Sequence, residues 1–213
     1  MNKRLVPIAI AVLVVGGGVG FALTRGDKDS KPNTSASSKP ASAFDVVSTK
    51  GVSFVATIEV SSGNTTISSK MESDAKTGAI RYVSSAGGQS VNFIYTSDAY
   101  YMCQSSDTCY KYPLGQGNGA SFDPKTYEYS DAKIAEYRAG SSYDGKKACS
   151  TGTCDVWKIK SGENESVVYV DTKTKRVVQM EGTSAAGLMK ITYDYRDDIS
   201  VTIPTNVQTL PSL

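Results

Sequence analysis

From Phe54 onward the chain alternates apolar and polar residues with a period of two. Phe54, Ala56, Ile58 and Val60 interleave with Val55, Thr57 and Glu59, the pattern of a half-buried β-strand. Ser61-Ser-Gly-Asn64 is turn chemistry. Beyond it Ile67 and Met71 share one face, with Thr66, Ser68, Lys70 and Glu72 on the other. Asp74 to Gly78 turns again, and Ile80 and Tyr82 then alternate with Arg81 and Val83. After Gly87-Gly88, Val91, Phe93 and Tyr95 alternate with Asn92 and Ile94. Ser97-Asp98 is a tight turn before Ala99 to Cys103. Five short strands at regular spacing predict a meander, sandwich or barrel.

The pattern breaks between Gly115 and Tyr143. Ser121-Phe-Asp-Pro124 offers a helix start, and Ala132 to Arg138 is helix-prone, with Ile134 and Arg138 one turn apart and Gly140 as terminator. One or two short helices are predicted. Strands resume at Lys146–Cys149, Cys154–Lys160, Val167–Asp171, Arg176–Glu181 and Leu188–Tyr195, and Ile203 to Val207 reads as extended. The expectation is a mainly β (α+β) domain of about ten strands. They form a strongly curved antiparallel sheet whose concave face is covered by the helical insertion. No internal repeat of the solenoid or propeller kind is present.

The first residues follow a different pattern. Met1-Asn-Lys-Arg4 is basic, and Leu5 to Leu23 is a run of 19 residues without a charge. That is long enough to cross a bilayer core at about 1.5 Å per residue. Gly20-Phe-Ala-Leu-Thr-Arg25 is a poor small-residue cleavage site, which favours an uncleaved anchor over 1–24. Residues 25–43 are rich in Ser, Lys, Pro and Asp, the composition of a disordered tether. The folded domain is then 44–213.

Four cysteines form two local pairs, Cys103 with Cys109 and Cys149 with Cys154, each bracketing a polar turn between strand-like flanks. Disulfides across the turns are the simplest reading, ahead of a zinc site or free thiols, because the spacings fit zinc knuckles badly and no C-x-x-C is present. Local disulfides behind a membrane segment place the domain on the extracytoplasmic side of a single-pass cell-membrane protein.

Composition narrows the chemistry. The net charge is +2 and no run of one sign occurs, so there is no nucleic-acid footprint. The chain has no histidine, which removes the commonest general base and metal ligand. Asp197-Asp198 are adjacent carboxylates in a turn, where solvated acids are ordinary. An enzyme, a cofactor and a metal are therefore not expected. Lys173, Lys175 and Arg176 cluster at one hairpin tip and read as a solvated turn. Thirteen tyrosines, among them those at 95, 100, 101, 110, 112, 127, 129 and 137, suit half-buried strand faces or stacking on a sugar.

The order of segments carries a resemblance. "SDAYYMC", the helical insertion, "CDVWKI", "VVYVDTKTKRVVQME", "KITYDY" and "VTIPTNV" together resemble the LolA-like superfamily, the outer-membrane lipoprotein carriers and lipid-carrying lipoproteins, over about Phe44 to Val207. The resemblance implies a half-barrel whose curved sheet wraps helices around a hydrophobic cavity for acyl chains. Two departures matter. Soluble carriers of that family lose a signal peptide, whereas this chain reads as anchored. Its lipid-carrying members bear a lipidated cysteine after the signal, and here the first cysteine is Cys103. Presentation or sensing of lipid at one membrane fits better than transfer between two.

The expected function is thus non-catalytic binding of a lipid or an acylated protein by a monomer held at the membrane. Candidate cavity residues are Phe54, Ile58, Met71, Tyr82, Phe93, Tyr95, Met102, Trp157, Met180 and Met189. The alternative is an envelope interaction or sensor module whose core is solid.

Overall fold

A computed structural model describes residues 44–86, 89–105, 108–113, 127–161, 164–184 and 187–209. The predicted membrane segment, the tether and the helix start at Ser121 lie outside them. Among the described residues, no helix is long and apolar enough to cross a membrane.

The described strands form one sheet. They are β1 (Phe54–Ser62), β2 (Thr65–Ser73), β3 (Ile80–Ala86), β4 (Gln89–Tyr95), β5 (Ala99–Ser105) and β6 (Thr108–Pro113). After the helix α1 (Asp131–Gly140) come β7 (Ser141–Cys149), β8 (Gly152–Ser161), β9 (Asn164–Asp171), β10 (Val177–Ser184), β11 (Gly187–Tyr195) and β12 (Val207–Thr209). Their order across the sheet is β12-β6-β5-β4-β3-β2-β1-β11-β10-β9-β8-β7. Two antiparallel meanders, β1 to β6 and β7 to β11, are therefore joined through the β1–β11 pair, in which Phe54 faces Tyr195 and Val60 faces Met189.

The count is twelve strands where about ten are predicted. One addition is β6, which the sequence shows only as the flank of Cys109. The other is β12, a parallel partner of β6. The strand β7 also begins earlier than predicted. Gly145, at φ 92, lies within the register shift between Tyr143 and Lys146, so pairing with β8 continues on both sides of it. Both cysteine pairs are disulfides, Cys103–Cys109 across β5–β6 and Cys149–Cys154 across β7–β8. Each clamps a hairpin at or next to one edge of the open sheet.

Strand alternation sorts the side chains onto two faces. The inner face carries Phe54, Ala56, Ile58 and Val60 of β1, and registers extend it to Met71, Tyr82 and Phe93 on one side and to Ile191, Met180 and Trp157 on the other. The helix packs here. Ser130 caps it, its hydroxyl accepting from the Lys133 amide, with Asp131 in the first turn and Arg138 in the last, both favourable to the helix dipole. Its buried anchor is Ile134.

The outer face has its own small core. After β11 the chain crosses back over this face, burying Ile199 and Val201 against Val55, Ala79, Ile94, Ala99 and Tyr101, and ends as β12 beside β6. Asp74 fastens the crossing strap. Its carboxylate accepts from the Val201 amide, the Lys76 amide and the Thr77 hydroxyl. Burial alone would raise its pKa, but these hydrogen bonds outweigh burial and hold the carboxyl below its usual range.

Candidate functional site

Registers place all ten candidate residues on the inner face, in two distinct settings. The first is closed. Phe54, Ile58, Met71 and Trp157 are buried among Phe44, Tyr129, Ile134, Val168 and Tyr193. The segment before β1 seals this half. The Thr49 amide donates to the Tyr129 carbonyl, the Thr49 hydroxyl accepts from the Tyr129 amide, and Arg138 Nε donates to the Phe44 carbonyl. Phe44 thus lies edge-on to Trp157, ring centroids 5.6 Å apart, and to Tyr137 at 6.3 Å. Met180, Met189, Tyr82 and Tyr95 are partly buried at the margin of this cluster.

The tyrosines inside it are satisfied one by one, as buried phenols must be. The Tyr129 hydroxyl reaches Met180 Sδ, that of Tyr193 donates to the Tyr127 carbonyl, and that of Tyr195 donates to the Val177 carbonyl at 2.7 Å. Burial pushes Tyr129 and Tyr193 far above the usual phenol range and Tyr137 up to about 12, so all three stay neutral.

The second setting is the other half of the same face, on β3 to β6. Cross-strand pairing sets Tyr82 opposite Phe93, Phe93 opposite Met102, Tyr95 opposite Tyr100, and Tyr100 opposite Tyr112. These side chains are only half-buried. Tyr95 and Tyr100 stack with centroids 6.0 Å apart, and Tyr100 and Tyr112 stack at 4.7 Å with planes 6° apart. The second spacing equals the separation of neighbouring strands, so the rings stand upright on the sheet as a row across three strands. Burial raises the Tyr95 and Tyr100 phenols, so these two rings are uncharged at neutral pH. Tyr100, Tyr110 and Tyr112 are absent from the candidate cavity residues, although the tyrosine pattern includes them. In Tyr100-Tyr101 the sequence does not say which ring faces inward. The pairing with β4 turns Tyr100 in and Tyr101 out, where it is buried under the outer strap.

Two clefts open on the opposite, outer face, where Glu59 pairs with Lys190 and Thr57 with Lys70 and Thr192. One of ≈ 330 Å³ is lined by Glu59, Glu165, Glu181, Lys190, Leu188 and Met189 among others. One of ≈ 520 Å³ is lined by Thr57, Lys70, Thr151, Thr192 and Arg196 among others. Both are open and carry many polar groups, and only Met189 of the ten candidates lines either. Among the described residues no group of three or more potential ligands is placed to hold a metal.

No family model matches the chain, and no curated protein matches it. Solved structures do. An uncharacterized conserved protein from Thermus thermophilus has a TM-score of 0.46 at 8% identity, over 75% of this chain and 90% of that one. The lipoprotein LppX of Mycobacterium tuberculosis has a TM-score of 0.43 at 12% identity, over 71% and 88% of the two chains. LprF from Mycobacterium bovis has a TM-score of 0.42 at 14% identity, over 75% and 92%.

Proposed function

We propose that this chain binds an acyl ligand, a lipid or a lipid-modified protein, on the half-buried aromatic row of β3 to β6, without catalysis, on the extracytoplasmic side of the membrane that anchors it. One observation carries the reading. The inner face is sealed by Phe44, Tyr129 and α1 over one half, yet over the other it presents Phe93, Met102 and the stacked tyrosines as a half-buried apolar surface. Rings standing upright offer long hydrocarbon edges and one adaptable thioether, a surface suited to a chain of variable length. The uncharged run at Leu5 to Leu23 would keep the domain at its lipid source.

The test is native mass spectrometry of the domain from Ala43 onward, prepared from cells. Co-purified lipid is expected, together with uptake of a fluorescent fatty acid. A clean apo mass with no uptake would overturn the reading. A second reading, an interaction module with a solid core, draws on the complete burial of Phe54 and Met71. It predicts that clean apo mass and capture of an envelope protein instead.

A further inference from the structure

The segment that seals the inner face is built like an inserted ligand. Residues 44–49 belong to no strand or helix, and Phe44 lies between Tyr137 of α1 and Trp157 of β8. Side chains alternate along the segment. Phe44 and Val46 are buried in the inner-face cluster, whereas Asp45 and Val47 are exposed. Backbone fastening begins at Val47, whose amide donates to the Lys175 carbonyl at 2.8 Å, and continues at Thr49. Ahead of Val47, among the described residues, one hydrogen bond holds the chain, from Arg138 Nε to the Phe44 carbonyl at 3.2 Å. The rest is apolar contact, which has no direction and which an acyl tail supplies as well as a ring. Phe44 is also where the domain meets the tether predicted over 25–43, so its withdrawal breaks no strand pairing.

We infer that Phe44 and Val46 form an intramolecular plug, which an acyl chain displaces to enter the slot between α1 and β8. The inference rests on the acyl-ligand reading above and adds its regulation. With the plug in, the sealed half of the inner face serves stability. With it out, Trp157 and Tyr137 meet the ligand instead. Apparent affinity is then the intrinsic affinity scaled by the fraction of molecules whose plug is out, so a change that loosens the plug tightens binding. A plain core behaves otherwise. Cutting away the Phe44 ring could leave a dry hole that takes up any apolar probe, but loosening the segment without making a hole would gain nothing. Arg138→Gln separates the two cases, because it removes the hydrogen bond and leaves both buried side chains in place.

The full chain in nanodiscs of phosphatidylcholine allows a direct test, because Trp157 is its single tryptophan and its ring centroid lies 5.6 Å from that of Phe44. The probe is brominated dodecanoate, read by quenching of Trp157, with a fluorescent fatty acid reporting total uptake. Relative to the wild type, Arg138→Gln should quench at about a third of the concentration and Phe44→Ala at about a tenth or less. Val47→Ala, on the exposed side of the segment, should quench as the wild type does. If Arg138→Gln, with unchanged circular dichroism, needs the wild-type concentration, the plug is overturned even where Phe44→Ala gains, since that gain is then the filling of a hole. This comparison decides the matter even if Phe44→Ala does not fold. Uptake of the fluorescent fatty acid with no quenching of Trp157 in any variant also overturns the plug and leaves the acyl reading standing. Neither uptake nor quenching overturns both.

Discussion

Replacing Phe44 with alanine tests the idea that a segment before the first strand closes half of the inner face. Phe44 is 1% exposed and touches Trp157 and Tyr137 edge-on. Burial of an aromatic residue removes on the order of 150 Å² from water, and at about 25 cal/mol per Å² this is worth roughly 4 kcal/mol. That figure is an upper value, since the unfolded chain already buries part of the ring. Two aromatic contacts, at about 0.5–1.5 kcal/mol each, are lost as well. These terms reach about 5–7 kcal/mol as an upper value, and measured phenylalanine-to-alanine losses in cores, about 3–5 kcal/mol, lie below it. We expect about 3–4 kcal/mol, a large share of the roughly 5–15 kcal/mol that a domain commands.

The assay is urea unfolding of the domain from Ala43 onward, followed by Trp157 emission. With a slope near 2 kcal/mol per M, the midpoint should fall by roughly 1.5–2 M. Val47→Ala, a few residues along at a position 46% exposed, should move it by no more than about 0.3 M. The Phe44 variant keeps the hydrogen bond from Arg138, which reaches the backbone carbonyl, so the loss isolates the ring. A fall of less than about 0.5 M would refute the reasoning, since it would mean that the ring adds little to a core that stands without it.

Other consequences follow from single contacts. Gly187 has φ 131 and its Cβ would lie 2.2 Å from the Ser61 carbonyl oxygen, so Gly187→Ala must part the β1–β11 pair locally. Amide exchange at Ser61 and Leu188 should quicken at least tenfold. Asp171 accepts from the Thr174 amide, the Thr151 hydroxyl and the Lys173 amide, which lower its pKa to about 2. Its folded value lies below its unfolded one, so its stabilisation is complete above about pH 4 and is lost as pH falls toward 2. Asp171→Asn should flatten that limb of a stability-versus-pH curve. Tyr100→Ala removes the middle ring of the row and, by the proposed function, should weaken fatty-acid uptake about fivefold or more, while Tyr101→Phe on the opposite face leaves uptake unchanged.

Local alternation made β1 to β5 and β8 to β11 readable from sequence, because a half-buried strand shows its two faces in its own residues. The disulfides were readable for the same reason, since each joins cysteines close in sequence across one turn. What could not be read is long-range. Residues Phe54 and Tyr195 pair across 141 positions (195 − 54), and neither strand says which neighbour it takes. The strand β12 has three residues and exists only because the strap delivers it to the edge of β6. The inner face was correctly assembled from its apolar members, yet its division into a sealed half and a half-buried half depends on where Phe44 and Tyr129 land.

The two halves of the inner face also divide the work of stability and recognition. Tertiary hydrogen bonds hold the sealed side, where Tyr129 is fixed through Thr49, Ser48 and Met180. On the β3 to β6 side the sheet is stabilised instead from behind, by Ile199 and Val201 under the strap and by the disulfide Cys103–Cys109. A binding surface supported from its far face can leave its near face underpacked without unfolding, because its strands are already paired and backed. This predicts an asymmetry between two substitutions. Val201→Ala, in the outer-face core, should cost about 1–2 kcal/mol of stability and also raise the mobility of the tyrosine row, visible as faster ring exchange at Tyr100. Ile134→Ala on the sealed side should cost about 2–4 kcal/mol and leave that exchange unchanged. If both substitutions loosen the row equally, the inner face is one cooperative core and the division into a structural half and a binding half is wrong.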